Sequence, residues 1–221
     1  MATDDRRHRG AARRKSVLAD EGLRRLIGLA IVCGAVVGLE RYGPCAPPDY
    51  PSGVSLPDDP EQTPAEREPW ERPPYRFEPL AAYSLEAMVV RTKRYRRGLE
   101  HELAEVDVGL VWGPMADDAL LEDARWSQRN RFLHWRSDNP AVLANERYIA
   151  NVHLIPSTPD VARAIRRLDP GDIVSIDGAL VSVTGPDGFR WRSSTSRDDR
   201  RYGACEVIWV DAIRVRNPGG D

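Results

Sequence analysis

The chain has 221 residues, 41% of them hydrophobic and 30% charged, with a formal net charge of −2. Length alone admits one or two domains, but 11 of the 18 prolines fall within residues 43–79, which argues against a second core there. The charge is uneven: residues 1–25 hold eight Lys/Arg against four Asp/Glu, whereas residues 43–221 hold 23 against 29, a balance that argues against a general nucleic-acid binder.

Residues 1–22 read as a basic tail and residues 23–42 as a membrane anchor or uncleaved signal segment. Its centre, residues 26–39, is an unbroken run of apolar and small residues. As a helix this run is about 21 Å long, short of the ~30 Å hydrocarbon core. Leu23 extends it if Arg24 and Arg25 snorkel toward headgroups. Arg6, Arg7, Arg9, Arg13, Arg14, Lys15, Arg24 and Arg25 precede the run and Arg41 alone follows it closely, so the N-terminus is expected in the cytoplasm. The expected location is a bacterial inner membrane with the C-terminal part in the periplasm. Cleavage near Val36 and Gly38 is the rival reading. Ala30, Gly34 and Gly38 form a small-residue stripe through which two anchors would pair as a homodimer.

Residues 43–79 read as a Pro-rich linker, stiff enough to hold a domain at about 3.1 Å per residue from the bilayer. Trp70, Tyr75 and Phe77 interrupt its polar character and are expected to pack on the domain beyond it.

Residues 80–217 read as one β-rich domain. Strands are expected at 87–95, at 106–112 closed by Gly113-Pro114, at 126–135 and at 148–155. A short helix is expected at 117–124. The strongest helix signal comes next: Thr158 as N-cap, Pro159 in the first turn, Asp160 favourable to the dipole, and Val161, Ala164, Ile165 and Leu168 on one face. Asp169-Pro170-Gly171 ends it. Residues 173–184 form another strand with Gly178 as a bend or bulge; 185–188 is a turn, and 189–193 returns. In the last strand Cys205, Val207, Trp209, Ile213 and Val215 alternate on one face, interrupted at Asp211. This order predicts the α+β class: a small antiparallel β-sheet, or an OB-like barrel of oligonucleotide/oligosaccharide-binding type, with one main helix.

The segments 106–115 (VDVGLVWGPM), 151–156 (NVHLIP), 191–194 (WRSS) and 203–206 (GACE) resemble an uncharacterised family of bacterial membrane-anchored proteins, over about residues 80–216. The resemblance implies a membrane-tethered topology and carries no known activity. The chain departs from that pattern at Asp199-Arg200-Arg201, where the family has Asp-Thr-Gly, so no role is carried over for that loop.

Among residues able to do chemistry, Asn151 and His153 are two apart and share a strand face. The polar run 193–199 offers Ser193, Arg197 and Asp198. A Ser–His–Asp reading makes His153, Ser193 and Asp198 weak catalytic candidates for a periplasmic hydrolase; no Gly-x-Ser-x-Gly elbow supports it, and polar turns are ordinary loop chemistry. Cys205 beside His153 would be a thiolate pair, against the commoner buried structural cysteine. Binding candidates are Asn151, His153, Trp191 and Arg197, expected to converge on one rim of the domain. His101-Glu102 lacks the second His of a zinc helix, and Cys33, Cys45 and Cys205 lack metal-site spacing, so no metal or other cofactor is expected. The basic cluster around Tyr95 (Arg91, Lys93, Arg94, Arg96 and Arg97) suits edge protection or an acidic partner. The favoured function is a membrane-tethered extracytoplasmic binding or assembly module with a protein partner in the envelope. Hydrolysis and a nucleic-acid-binding OB-like domain are the alternatives, although no nucleic acid is expected from the charge balance.

Overall fold

The computed structural model describes residue 48, residues 50–196 and residues 205–217. The run at 26–39, the Ala30/Gly34/Gly38 stripe, Cys33, Cys45, Arg197 and Asp198 lie outside the described residues. The described residues all belong to one compact unit spanning 47–221. Among them, no helix is long and apolar enough to cross a membrane.

The fold is α+β and mostly β. In chain order the elements are β1 (Glu61–Thr63), β2 (Trp70–Arg72), β3 (Tyr75–Arg94), α1 (Leu99–Leu103), β4 (Val106–Val111), α2 (Asp118–Glu122), β5 (Arg125–Arg129) and β6 (Phe132–Arg136). Beyond them come α3 (Pro140–Ala144), β7 (Ile149–Pro156), α4 (Pro159–Ile165), β8 (Ile173–Thr184), β9 (Arg190–Arg192) and β10 (Glu206–Arg216).

Five strands close on themselves. β3 pairs β4, β4 pairs β7, β7 pairs β10, β10 pairs β8, and β8 pairs β3 again. β3 serves both closures because it is 20 residues long and bends. Register shifts at Pro79/Ala81 and Val89/Arg91 let its first part pair β8 and its last part pair β4. All these pairings are antiparallel except β7 with β10, so the plain antiparallel sheet expected from the sequence is corrected. The parallel pair requires a crossover, and α4 opens the connection that makes it. Thr158 accepts from Val161 N through Oγ1 at 3.3 Å, as its N-cap position predicts. Val161, Ile165 and Leu168 from this segment are buried among Leu85, Val89, Val108, Leu110, Leu154, Ile176 and Ile208, which fill the interior of the ring.

Three other expectations are corrected. Residues 50–79 are in large part domain rather than linker. β1 and β2 pair with β3, and Tyr50 and Leu56 are buried with Met88, Val90, Val111 and Ile173 on the outer wall of the ring. Tyr50 donates from its hydroxyl toward Val90 O, and burial pushes that hydroxyl up to about 12 although Arg91 pulls the other way. Composition misled here because prolines cap short strands on a sheet edge as readily as they stiffen a spacer. Second, the single strand expected at 126–135 is a hairpin. Asn130 (φ 53°) and Arg131 (φ 63°) are both left-handed, as a two-residue turn of the primed type requires. The mixed polar and apolar faces of that segment come from the reversal.

Third, β10 does not keep Val207, Trp209 and Ile213 on one face. The register jumps from Val210↔Gly178 to Ala212↔Asp177, leaving Asp211 as an extra residue. Ile208, Val210 and Ile213 therefore face the ring interior, while Val207 and Trp209 face out. Gly178 is the partner that permits this: a Cβ there would lie 2.0 Å from Trp209 O. Gly178→Ala should therefore cost about 3 kcal/mol through forced backbone displacement, read as a lowered urea midpoint. An unchanged midpoint would mean that the β8–β10 contact gives way freely.

Candidate functional site

A strand alternates its side chains, so Asp107 and Gly109 on β4, and Asn151 and His153 on β7, point to the outside of the ring. Asp107 lies directly opposite His153, and Gly109 opposite Asn151. Three connections close over them. The β5–β6 hairpin contributes Gln128 and Arg131, the segment after β3 contributes Tyr95, and β9 with the start of β10 contributes Trp191 and Cys205. Gly109 makes the hairpin's approach feasible, since a Cβ there would meet Leu133 Cδ1 at 2.7 Å.

Asp107 is fully buried. Its Oδ1 accepts from Arg131 Nη1 at 2.7 Å and from His153 Nδ1 at 2.8 Å. Arg131 Nη1 also donates to Ala104 O at 3.1 Å, and the Arg131 backbone N–H donates to Tyr95 Oη at 2.8 Å. The guanidinium lies 4.3 Å from the Tyr95 ring centroid and 5.7 Å from that of Trp191, so the charge is held between aromatic faces as well as by a carboxylate.

Asn151 ties the group together. Gln128 Nε2 donates to its Oδ1 at 2.6 Å, and its Nδ2 donates to Arg131 O at 2.9 Å. These two bonds fix the amide orientation. Nδ2 then faces His153 Nε2 at 3.5 Å and Cys205 Sγ at 3.4 Å. Nε2 thus meets a donor, which places the ring proton on Nδ1, pointing at Asp107. The other side of the His153 ring carries Trp191, with centroids 4.8 Å apart. Trp191 itself is half-buried, between exposed Arg190 and Arg192.

The sequence-predicted residues divide clearly. Asn151, His153 and Trp191 are brought together, although on the outer wall of β4 and β7 rather than on a rim, and His153 bonds a carboxylate. Ser193 is close in the chain but engaged elsewhere: its Oγ donates to Ser194 O at 2.7 Å and accepts from Val207 N at 3.0 Å, which fastens the end of β9 to β10. Among the described residues it makes no bond to His153. Arg197 and Asp198 lie outside the described residues. Asp107, Gln128 and Arg131 were missed. Asp107 had a signal, being the one charged residue in an otherwise apolar strand; Arg131 had none, since only the hairpin's reversal aims it inward.

Cys205 is the nucleophile candidate that shares Asn151 Nδ2 with the imidazole, but burial pushes its thiol up to about 11, only partly offset by the Asn151 bond. Thiolate is the reactive form. Cys205 in the native chain should therefore alkylate about 100-fold more slowly at pH 8 than a free cysteine, read peptide by peptide by mass spectrometry. A rate equal to that of the unfolded chain would show an open, activated thiol. The linked stability effect has a definite sign. A raised folded-state value contributes stability in full below the unfolded value near 9, and loses it as pH rises toward 11.

Among the described residues, no group of three or more His, Cys, Asp or Glu is arranged to hold a metal ion. Comparison with family models, curated proteins and solved structures finds no match to this chain.

Proposed function

We propose that this chain is a membrane-tethered, extracytoplasmic binding module of the bacterial envelope, built on an OB-like barrel and without catalytic activity of its own. Barrels of this type take ligands on the face of their second and third strands, aided by the connections from strand one to two and from strand four to five. In ring order those strands are β4 and β7, and those connections supply Tyr95 and Trp191. The observation that carries the reading is that the polar group Asp107–His153–Asn151–Arg131 lies on that face, with Trp191 at its outer edge. His153 acts as a positioning residue: fixed by Asp107, it seats the indole that a ligand would meet. Ser193 held by Val207 N, and a Cys205 thiol kept protonated by burial, speak against the periplasmic-hydrolase reading. The membrane tether rests on residues 26–39 and the basic residues before them.

Capture from solubilised envelope membranes, using the intact chain beside a Trp191→Ala chain, tests the binding side. A species enriched by the first and lost with the second supports it; identical capture by both sinks it. A reporter active only outside the cytoplasm should be active when fused after Asp221 and silent when fused after Lys15. The reverse pattern removes the compartment from the proposal.

A further inference from the structure

The outer face of the β5–β6 hairpin is an unusual surface. Residues 125–136 contain four arginines and no carboxylate. Arg131 is turned inward to Asp107. The cross-strand pairs Arg125↔Arg136, Ser127↔His134 and Arg129↔Phe132 place the other three arginines on the opposite, solvent side. The alternate pairs, Trp126↔Trp135 and Gln128↔Leu133, face the barrel. Arg125 and Arg136 stand directly opposite each other, a like-charge pairing that destabilises a ladder unless an anion lies between them. Among the described residues, no ion pair or side-chain hydrogen bond engages Arg125, Arg129 or Arg136. The nearest acids in sequence, Asp123 and Asp138, stand outside the hairpin, and Asp123 accepts from Asn139 Nδ2.

The described chain begins on this same side of the domain. Tyr50 belongs to the apolar cluster against which Trp126, Leu133 and Trp135 pack from the hairpin's inner face. Ten residues separate Leu39 from Tyr50, which limits their reach to about 35 Å. That reach is an upper bound on the distance from the end of the apolar run to Tyr50.

From these two facts we infer that the outer face of β5–β6, through Arg125, Arg129 and Arg136, docks on the anionic phospholipid headgroups of the membrane that holds the tether. The inference rests on the tether proposed above. Docking would hold the hairpin down over the Asp107–His153 group and leave Trp191 as the side of the site open to a ligand.

Each arginine near an anionic surface multiplies partitioning about five-fold, and three give on the order of 100-fold. The intact chain is reconstituted in nanodiscs of phosphatidylcholine alone, or with one-third phosphatidylglycerol, and amide exchange is followed over residues 125–136. At least ten-fold slower exchange in the anionic discs, removed by 0.5 M salt and by R125Q/R129Q/R136Q but kept by Trp191→Ala, is the expected result. The lipid comparison needs no variant, so it stands even if the triple substitution fails to fold. Equal exchange in the two discs overturns the docking while leaving the tether intact. A chain that does not enter the discs instead overturns the tether. Its flotation with anionic over neutral vesicles then decides the docking: about 100-fold preference upholds it and equal flotation overturns it.

Discussion

A chain that begins at Tyr75 should fail to fold cooperatively, whereas one that begins at Pro47 should unfold in a single sharp urea transition. The shorter chain loses Tyr50 and Leu56, both nearly buried, and Trp70, which stacks on Phe77 at 5.3 Å and meets Trp209 edge-on at 5.0 Å. Burial of side chains this size stabilises by about 2–3 kcal/mol each. Together they amount to roughly 6–9 kcal/mol, against total stabilities of about 5–15 kcal/mol for ordinary domains. The truncation also strips β1 and β2 from β3, exposing a long apolar edge. Near-UV circular dichroism should be flat for the shorter chain. Equal urea midpoints for the two chains would return residues 47–74 to the role of a spacer.

Arg131→Ala should cost about 3–5 kcal/mol in the chain from Pro47, because it strands a fully buried Asp107 carboxylate. Oδ2 of Asp107 already lacks a hydrogen-bond partner among the described residues, so the loss leaves the carboxylate still less satisfied. His153→Ala should cost less, about 2–3 kcal/mol, since Arg131 remains on the carboxylate. Removing Asp107 and Arg131 together should cost clearly less than the sum of the single losses, giving a coupling of at least ~2 kcal/mol in the double-mutant cycle. Additive losses would mean that the two groups do not share a bond. Arg131→Gly gives a finer reading. Arg131 has φ 63°, where glycine is unstrained, so it should be about 1 kcal/mol less damaging than Arg131→Ala.

Much of the domain was legible residue by residue. The helix at Thr158 was legible because capping is local: a hydroxyl, a proline and an acid in consecutive positions act within one turn. The strands at 106–111 and 173–184 were legible because β-branched runs bounded by Gly-Pro or Asp-Pro-Gly need no distant partner to be recognised. Asn151 and His153 share a face because they stand two apart on one strand, whereas β10 lies between β7 and β8, so chain proximity does not account for Trp191 beside His153.

Tertiary structure decided everything that depends on which strand lies beside which. Ring closure rests on β3 pairing two strands at once and on the parallel register of β7 with β10; no local pattern contains either. The extra residue at Asp211 turned Ile213 inward because a single insertion inverts the alternation of every later residue in the strand. Residues 50–79 became domain because Tyr50 and Leu56 found apolar partners far along the chain, a gain that a proline count does not register. Arg131 became the partner of Asp107 only because two left-handed residues reversed the hairpin and turned this side chain inward. A charge on a turn is solvated by default; only a carboxylate brought opposite it across the fold makes its burial favourable.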